Sequence, residues 1–123
     1  MRVIHSEKAP AALGCYSQAV ERQGMLWTSM QIGIVADSGE LAENFAGQMQ
    51  QIMENLGAIL EAGGYEWGKV VKVSIYLADL ADFSEMNGIY TKYLHLPYPA
   101  REVVEVRSLP RGARAGVSLI AMK

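Results

Sequence analysis

One arginine in this chain of 123 residues stands at the start of a segment that otherwise has the composition of a β-strand. Arg101 follows a proline-containing loop and opens the strand-like run 101–106. A guanidinium at the mouth of an apolar strand is costly to remove from water unless an anion pairs with it, and its planar fork matches a carboxylate. The anion is either a neighbour, Glu102 or Glu105, or the carboxylate of a small ligand. Strand alternation turns Glu102 away from Arg101 and leaves Glu105 on its face, further along the strand.

A second candidate site residue is Tyr16, which follows a long loop of small residues and proline at 6–14. Loops of this kind often line binding sites. Considered alone, the tyrosine is better explained as a rim residue with its hydroxyl in water. Its neighbour Cys15, the single cysteine, is either a reactive thiol or a small buried hydrophobe. We expect the buried hydrophobe, because no histidine or lysine neighbour that would activate the thiol is evident.

Hydrophobic periodicity predicts the elements that position these residues. The first 41 residues have the pattern of short strands joined by turns, with a hairpin turn at Gln23-Gly24. The predicted strands of this part are Val3 to His5, Ala19 to Arg22 and Met25 to Ile32.

From Asn44 onward, apolar residues recur at steps of three and four, which is typical of a helix. Asn44 is a suitable N-cap, and Gly63-Gly64 ends the helix. We assign Met49 and Met53 to the core. A second helix is predicted from Asp82 to Leu94, with a capping-box-like start completed by Glu85. The remaining predicted strands are Lys69 to Leu77, Arg101 to Val106 and Ala115 to Met122.

The predicted order is βββ-α-β-α-ββ within a single domain, residues 1–123. Two helices can cover only one face of such a sheet, which makes the fold class α+β. The strand Lys69 to Leu77 carries apolar residues on both faces, so we expect the uncovered face to be buried as well. A symmetric oligomer is the usual way to bury it.

Composition excludes several classes of function. The net charge of −2 provides no electrostatic footprint for nucleic acid. The N-terminus lacks the apolar region of a signal peptide, and no apolar run approaches the roughly 20 residues that span a membrane. We therefore predict a cytoplasmic protein. His5, His95 and Cys15 lack the spacing of metal ligands, and no phosphate-binding loop or G-x-S-x-G elbow is present.

Three groups of residues, in order along the chain, carry a resemblance to a known family. Lys8 to Ala19 is similar to the pattern K-A-P-A-A-I-G-P-Y-S-Q-A, and Thr28 to Ile32 to an S-G-Q-I element. Pro99 to Pro110 resembles the signature P-A-R-S-x-V-E-V-x-x-L-P. On these motifs the chain resembles the reactive intermediate deaminases (Rid, also called YjgF) along essentially its whole length.

The resemblance implies a chorismate-mutase-like fold assembled as a homotrimer, with ligand clefts between subunits. It also implies hydrolysis of reactive 2-imino or 2-enamino acids, such as iminobutanoate and iminopropanoate, to 2-keto acids and ammonia without a cofactor. Carried over by position, Arg101 would clamp the substrate carboxylate and leave water as the nucleophile. Tyr16 and Ser29 would offer hydroxyls to the ligand, and Asn87 an amide. The backbone carbonyl of Val103 would meet the imine nitrogen or the water.

Some residues depart from the family pattern, and these are Cys15, Met30, Gly33, Glu102, Gly116 and Ser118. Gly116 stands where the family has the glutamate that orients the attacking water, and Ser118 replaces a second glutamate. Met30 puts a bulky side chain where the family has glycine, so we include it among the pocket residues. Because losing a general acid or base typically costs about a hundredfold in rate, the arginine clamp could persist while deamination is slow.

Three functions are compatible with these residues. The first is deamination of small 2-imino acids. The second is a non-catalytic trimer that binds small carboxylates such as 2-keto acids, which the missing glutamates favour. The third is ribonuclease activity, a label that some members of the family carry. Acidic composition, the lack of paired catalytic histidines and the lack of interleaved aromatic and basic residues argue against it.

Overall fold

A computed structural model describes residues 1–123 and contains one six-stranded sheet with two α-helices. The strands are β1 (Arg2–Ile4), β2 (Ala19–Arg22), β3 (Met25–Thr28), β4 (Val70–Leu77), β5 (Ala100–Glu105) and β6 (Ala115–Met122), and the helices are α1 (Phe45–Ala62) and α2 (Phe83–Tyr90). The sheet order is β1-β2-β3-β6-β4-β5, in which only β4 and β5 are parallel. The α+β class and the order of elements agree with the prediction.

The β2–β3 hairpin turns where the sequence predicts it. Gln23 and Gly24 both have positive φ, 52° and 77°, as a two-residue turn matched to the strand twist requires. Strand β3 ends at Thr28, earlier than the predicted Ile32. Beyond it, Gln31 forms only an isolated bridge with Val117 of β6.

Helix α1 begins and ends as predicted. The side chain of Asn44 accepts a hydrogen bond of 2.8 Å from Gly47 N, and Gly64 adopts the left-handed conformation, with φ 81°. One face of the helix, which includes Met49 and Met53, is almost fully buried in the core.

The predicted capping box of the second helix is wrong. The Asp82 carboxylate makes no capping hydrogen bond. Both of its oxygens instead accept hydrogen bonds of 2.9 Å from Arg114 Nη2. Asp79 caps a preceding 3₁₀ turn by accepting a hydrogen bond from Ala81 N. The helix also ends at Tyr90 and not at Leu94, although Leu94 still reaches the core.

Both helices pack on one face of the sheet, where the core lies. On β4 the residues that face the core are Val73, Ile75 and Leu77, and those that face away are Lys72, Ser74 and Tyr76. The expectation of apolar residues on both faces of this strand is met only by Tyr76 and by Val71, which is exposed. The other apolar residues of β4 lie on the helix side, as strand alternation favours.

Apolar side chains on the uncovered face come from the other strands. Val3, Val20, Trp27 and Ile120 are in register across β1, β2, β3 and β6. Val3 and Trp27 are exposed in the single chain. Neither helix has the combination of length and hydropathy needed to cross a membrane.

Candidate ligand-binding site

Arg101 lies on the helix side of β5, the edge strand, and is half-buried against α2. Its Nη1 donates a hydrogen bond of 2.6 Å to Asn87 Oδ1. The guanidinium carbon is 4.8 Å from the centre of the Tyr90 ring and 5.7 Å from that of Phe83. These contacts orient the guanidinium and partly shield it from water, but none of them neutralises its charge. Burial raises the pKa of Tyr90, and the charge of Arg101 partly opposes that rise.

Neither neighbouring glutamate supplies the anion for Arg101. Glu102 points to the opposite face, as strand alternation predicts, and forms an ion pair of 3.6 Å with Lys72. Glu105 accepts a hydrogen bond from Leu80 N at 2.9 Å. Arg101 therefore keeps most of its N–H donors available for an anion from outside the chain.

A second group of predicted residues lines a pocket of about 690 Å³. Its wall consists of Pro10, Ala11, Leu13, Tyr16, Ser29, Met30, Gln31, Ile32, Ile34, Ala36, Gly39, Pro110 and Arg111. We call this space the Tyr16 pocket. Arg111 is the only charged residue in its wall, so no carboxylate of this chain opposes an anionic ligand there.

Two polar residues of the Tyr16 pocket differ in how firmly they are held. Ser29 Oγ donates a hydrogen bond of 2.6 Å to the Ser17 carbonyl, which leaves the hydroxyl oxygen as an acceptor towards the pocket. Tyr16 is 53% exposed, and its hydroxyl has no partner within the chain. Tyr16 therefore lies at the rim of the pocket, and contact of its hydroxyl with a ligand stays a prediction.

Gln18 anchors the loop that carries Tyr16, and sequence reasoning missed this residue. Its side chain is 2% exposed, accepts a hydrogen bond from Ser6 N at 2.7 Å and donates to the carbonyls of Ser6, Ala9 and Pro10. An amide between predicted loop and strand gives no sequence signal, since its role depends on contacts with residues up to 12 positions away.

Arg111 was also missed as a pocket residue. It has φ 61°, a left-handed conformation that is unfavourable for a residue with a Cβ, and its Nη1 donates to the Gly39 carbonyl at 3.0 Å. The only available signal was the gathering of arginines late in the chain.

Met30 and Gly116, two of the departures from the family pattern, are in contact with each other. A Cβ added at Gly116 would lie 2.7 Å from Met30 Sδ and 3.5 Å from Leu109 Cδ2. Ser118 lies on the same face of β6, opposite Ser74, and does not line the Tyr16 pocket. Glycine at position 33 is explained by a close approach to α1, because an added Cβ would lie 2.5 Å from Gln48 Cα.

The expectation that Cys15 is buried is wrong. The thiol is exposed, because the loop before Tyr16 runs over the surface. Elsewhere, no group of three or more His, Cys, Asp or Glu side chains is arranged to hold a metal ion.

A single chain does not bring the two groups of site residues together. Arg101 is in register with Val73, and Val73 with Leu119, whose N–H donates to Thr28 Oγ1. Three strand spacings of ~4.8 Å thus put the backbone of Arg101 about 14 Å from that of the Ser29 segment. Arg101 and Asn87, which we call the Arg101 half-site, are therefore separate from the Tyr16 pocket.

The fold and these two groups of residues define a small α+β protein with a mixed six-stranded sheet of the YjgF type. The family model described as Endoribonuclease L-PSP matches residues 6–123. The chain belongs to this family, the Rid (YjgF) proteins.

Individual relatives and solved structures agree with the family. The chain is 42% identical to Reactive Intermediate Deaminase A, chloroplastic, of Arabidopsis thaliana over 97% of its own length but 64% of that protein. It is 41% identical to 2-iminobutanoate/2-iminopropanoate deaminase of Mus musculus, over 99% of this chain and 91% of that protein. The RidA structure from Psychrobacter sp. superposes with a TM-score of 0.97 at 40% identity and full coverage of both chains. The E. coli TdcF structure with bound serine has a TM-score of 0.94 at 30% identity, covering 100% of this chain and 99% of that one.

Proposed function

We propose that this protein hydrolyses reactive 2-imino and 2-enamino acids to 2-keto acids and ammonia, with no cofactor. A 2-enamino acid first becomes the imine by gaining a proton at its terminal alkene carbon and losing one from nitrogen. Water then adds to the imine carbon, which forms the C–O bond. The C–N bond then breaks, and the nitrogen leaves as ammonia with the protons that the water supplies. An iminium carbon is already electrophilic, so the protein needs mainly to bind and orient the substrate.

The observation that carries this proposal is the half-buried guanidinium of Arg101, which has no acidic partner within the chain. Glu102 and Glu105 are both engaged elsewhere. A bidentate contact with the α-carboxylate of a small 2-imino acid would supply the missing anion. The relative from Mus musculus carries the name of such a deaminase, and the TdcF structure holds serine, which has an α-carboxylate.

Asn87 supports this arrangement as a positioning residue for Arg101. Its Oδ1 accepts from Arg101 Nη1, and its amide N–H groups are left to donate to the ligand. The backbone carbonyl of Val103, two residues further along the edge strand, is our proposed partner for the imine nitrogen or the water.

We further propose that the site is completed between subunits of a homotrimer. The Tyr16 pocket and the Arg101 half-site lie about 14 Å apart across three strand spacings, so one small substrate reaches both only if a second copy supplies one of them. The exposed apolar side chains Val3 and Trp27 on the uncovered face favour such an assembly. Light scattering that gives a monomer mass would contradict this proposal.

The deaminase proposal is tested with imines generated in situ by an amino-acid oxidase, with catalase present. Wild-type protein is expected to accelerate the release of ammonia and 2-keto acid over the rate in buffer, and Arg101→Ala to abolish that acceleration. An unaccelerated reaction with the wild-type protein refutes the proposal.

A second candidate function is binding of small 2-keto acids without catalysis. It is favoured by the Met30 thioether over Gly116, which leaves no carboxylate in the wall of the Tyr16 pocket. Saturable binding of 2-ketobutyrate by calorimetry, together with no acceleration of imine hydrolysis, would select this function.

Ribonuclease activity, which the description of the family model names, gains no support from the side chains. His5 contacts Glu7 at 3.0 Å on an exposed segment, and His95 lies in a different part of the chain. The structure contains no hydrogen bond between the two histidines, so general acid and base catalysis by a histidine pair has no support in the single chain.

A further inference from the structure

The glycine at position 116 is explained by space and not by backbone conformation. Gly116 lies within β6 and pairs with Tyr76, so a side chain at this position would point towards the uncovered face. That space is occupied, because Met30 Sδ and Cγ would lie 2.7 and 3.1 Å from an added Cβ. The Met30 side chain therefore lies across β6 and buries Gly116 on a face that has no helix.

The same methionine also lines the Tyr16 pocket. One flexible, polarisable side chain thus contacts β6 on one side and the pocket on the other. Anything that moves the thioether changes the volume available to a ligand. Because Met30 contributes a thioether to the pocket wall, it contacts a ligand through apolar atoms.

We propose that Met30 and Gly116 form a matched pair that determines substrate specificity, with the Met30 thioether contacting the apolar side chain of the 2-imino or 2-keto acid. The inference rests on the proposed function and deepens it. Short apolar side chains fit beside the thioether, and longer ones require that it be removed. Glycine at 116 is required so that the thioether can lie back against β6 and leave the pocket open.

The proposed pair leads to two predictions, in which the preference between the two ligands shifts in opposite directions. Met30→Ala removes Cγ, Sδ and Cε from the wall, which makes room for the additional carbons of the longer ligand, and should shift preference about tenfold towards that ligand. Gly116→Ala places a methyl group where the sulfur lies and pushes the thioether into the pocket. It should shift preference towards the shorter ligand, and this effect should vanish in the double variant that also carries Met30→Ala.

The probes are 2-ketobutyrate and 2-keto-4-methylvalerate, with dissociation constants measured by calorimetry for the wild type, both single variants and the double variant. Met122→Ala is the matched control, because it removes a methionine from the same face of the sheet, outside the pocket. Urea unfolding of each variant verifies that it is folded.

The expected result is a tenfold change in the ratio of the two dissociation constants for Met30→Ala, no change for Met122→Ala, and loss of the Gly116→Ala effect when Met30 is absent. An unchanged ratio in Met30→Ala, in a wild-type background that binds both probes, overturns the inference and leaves the proposed function standing. If the wild type binds neither probe, the inference fails, whereas the proposed function fails only if imine hydrolysis is not accelerated. Should Gly116→Ala not fold alone, recovery of folding in the double variant would support the pair, and failure of both would count against it.

Discussion

Replacing Arg101 with lysine separates the charge of the guanidinium from its geometry. The variant keeps a cation at the end of a flexible stem but removes the planar fork that holds a carboxylate with two parallel hydrogen bonds. It also removes the Nη1 contact of 2.6 Å with Asn87 Oδ1, which orients the group in the folded chain.

The expected magnitude follows from these contacts. A hydrogen bond to a charged group is worth about 1.5–3 kcal/mol, so losing one arm of the fork should weaken binding of 2-ketobutyrate about ten- to hundredfold. Arg101→Ala, which loses both arms and the charge, should weaken it at least about a hundredfold. The unfolding free energy should fall by only about 1 kcal/mol in Arg101→Lys. The side chain at this position is half-buried, and an ammonium group can still make a cation–π contact with the Tyr90 ring.

Affinity is measured by isothermal titration calorimetry and stability by urea denaturation on the same preparations. Arg107→Lys and Arg107→Ala are the matched controls, since Arg107 is exposed and lies just beyond the strand that carries Arg101. Both control variants should bind like the wild type.

Equal affinity for the wild type, Arg101→Lys and Arg101→Ala would refute the argument that this guanidinium meets the ligand carboxylate. A loss of affinity in Arg101→Ala that Arg101→Lys fully restores would refute the bidentate geometry and leave only a charge effect.

Three further perturbations test the elements that hold the site. Gln18→Ala should lower the unfolding free energy by about 3 kcal/mol, because buried carbonyls of the loop at 6–10 lose their donor, and urea denaturation measures it. Arg2 and Tyr65 lower the pKa of Glu21 to about 2 from 4.5. Stability contributed by this carboxylate is therefore complete above about pH 4.5 and lost towards pH 2, so Glu21→Gln should flatten the melting temperature against pH over this interval. Asn44→Ala should cost about 1 kcal/mol of stability through loss of the helix cap, again by urea denaturation.

Most of the secondary structure could be predicted because its signals are local. The turn at Gln23-Gly24 and the cap at Asn44 depend on residues within a few positions of each other. The start of α2 is the exception. Asp82 satisfies the sequence pattern of a capping box, but Arg114, 32 positions away, binds its carboxylate in the folded chain.

The candidate site was predictable in its residue types but not in its arrangement. Tyr16, Ser29 and Met30 line one pocket, whereas Arg101 and Asn87 lie together elsewhere. No spacing along the sequence indicates that β6 and β4 separate these groups. That separation depends on the strand order of the sheet.

Sequence by itself determined that Arg101 requires an anion, since its type and its place in a strand make the charge costly to bury unpaired. It also determined which face Glu102 takes, because alternation is a property of every strand. Only the tertiary structure decided that Glu102 and Glu105 are engaged by other groups. It alone decided that Met30 fills the space over Gly116. Both outcomes depend on contacts between segments far apart in the chain, which local composition does not encode.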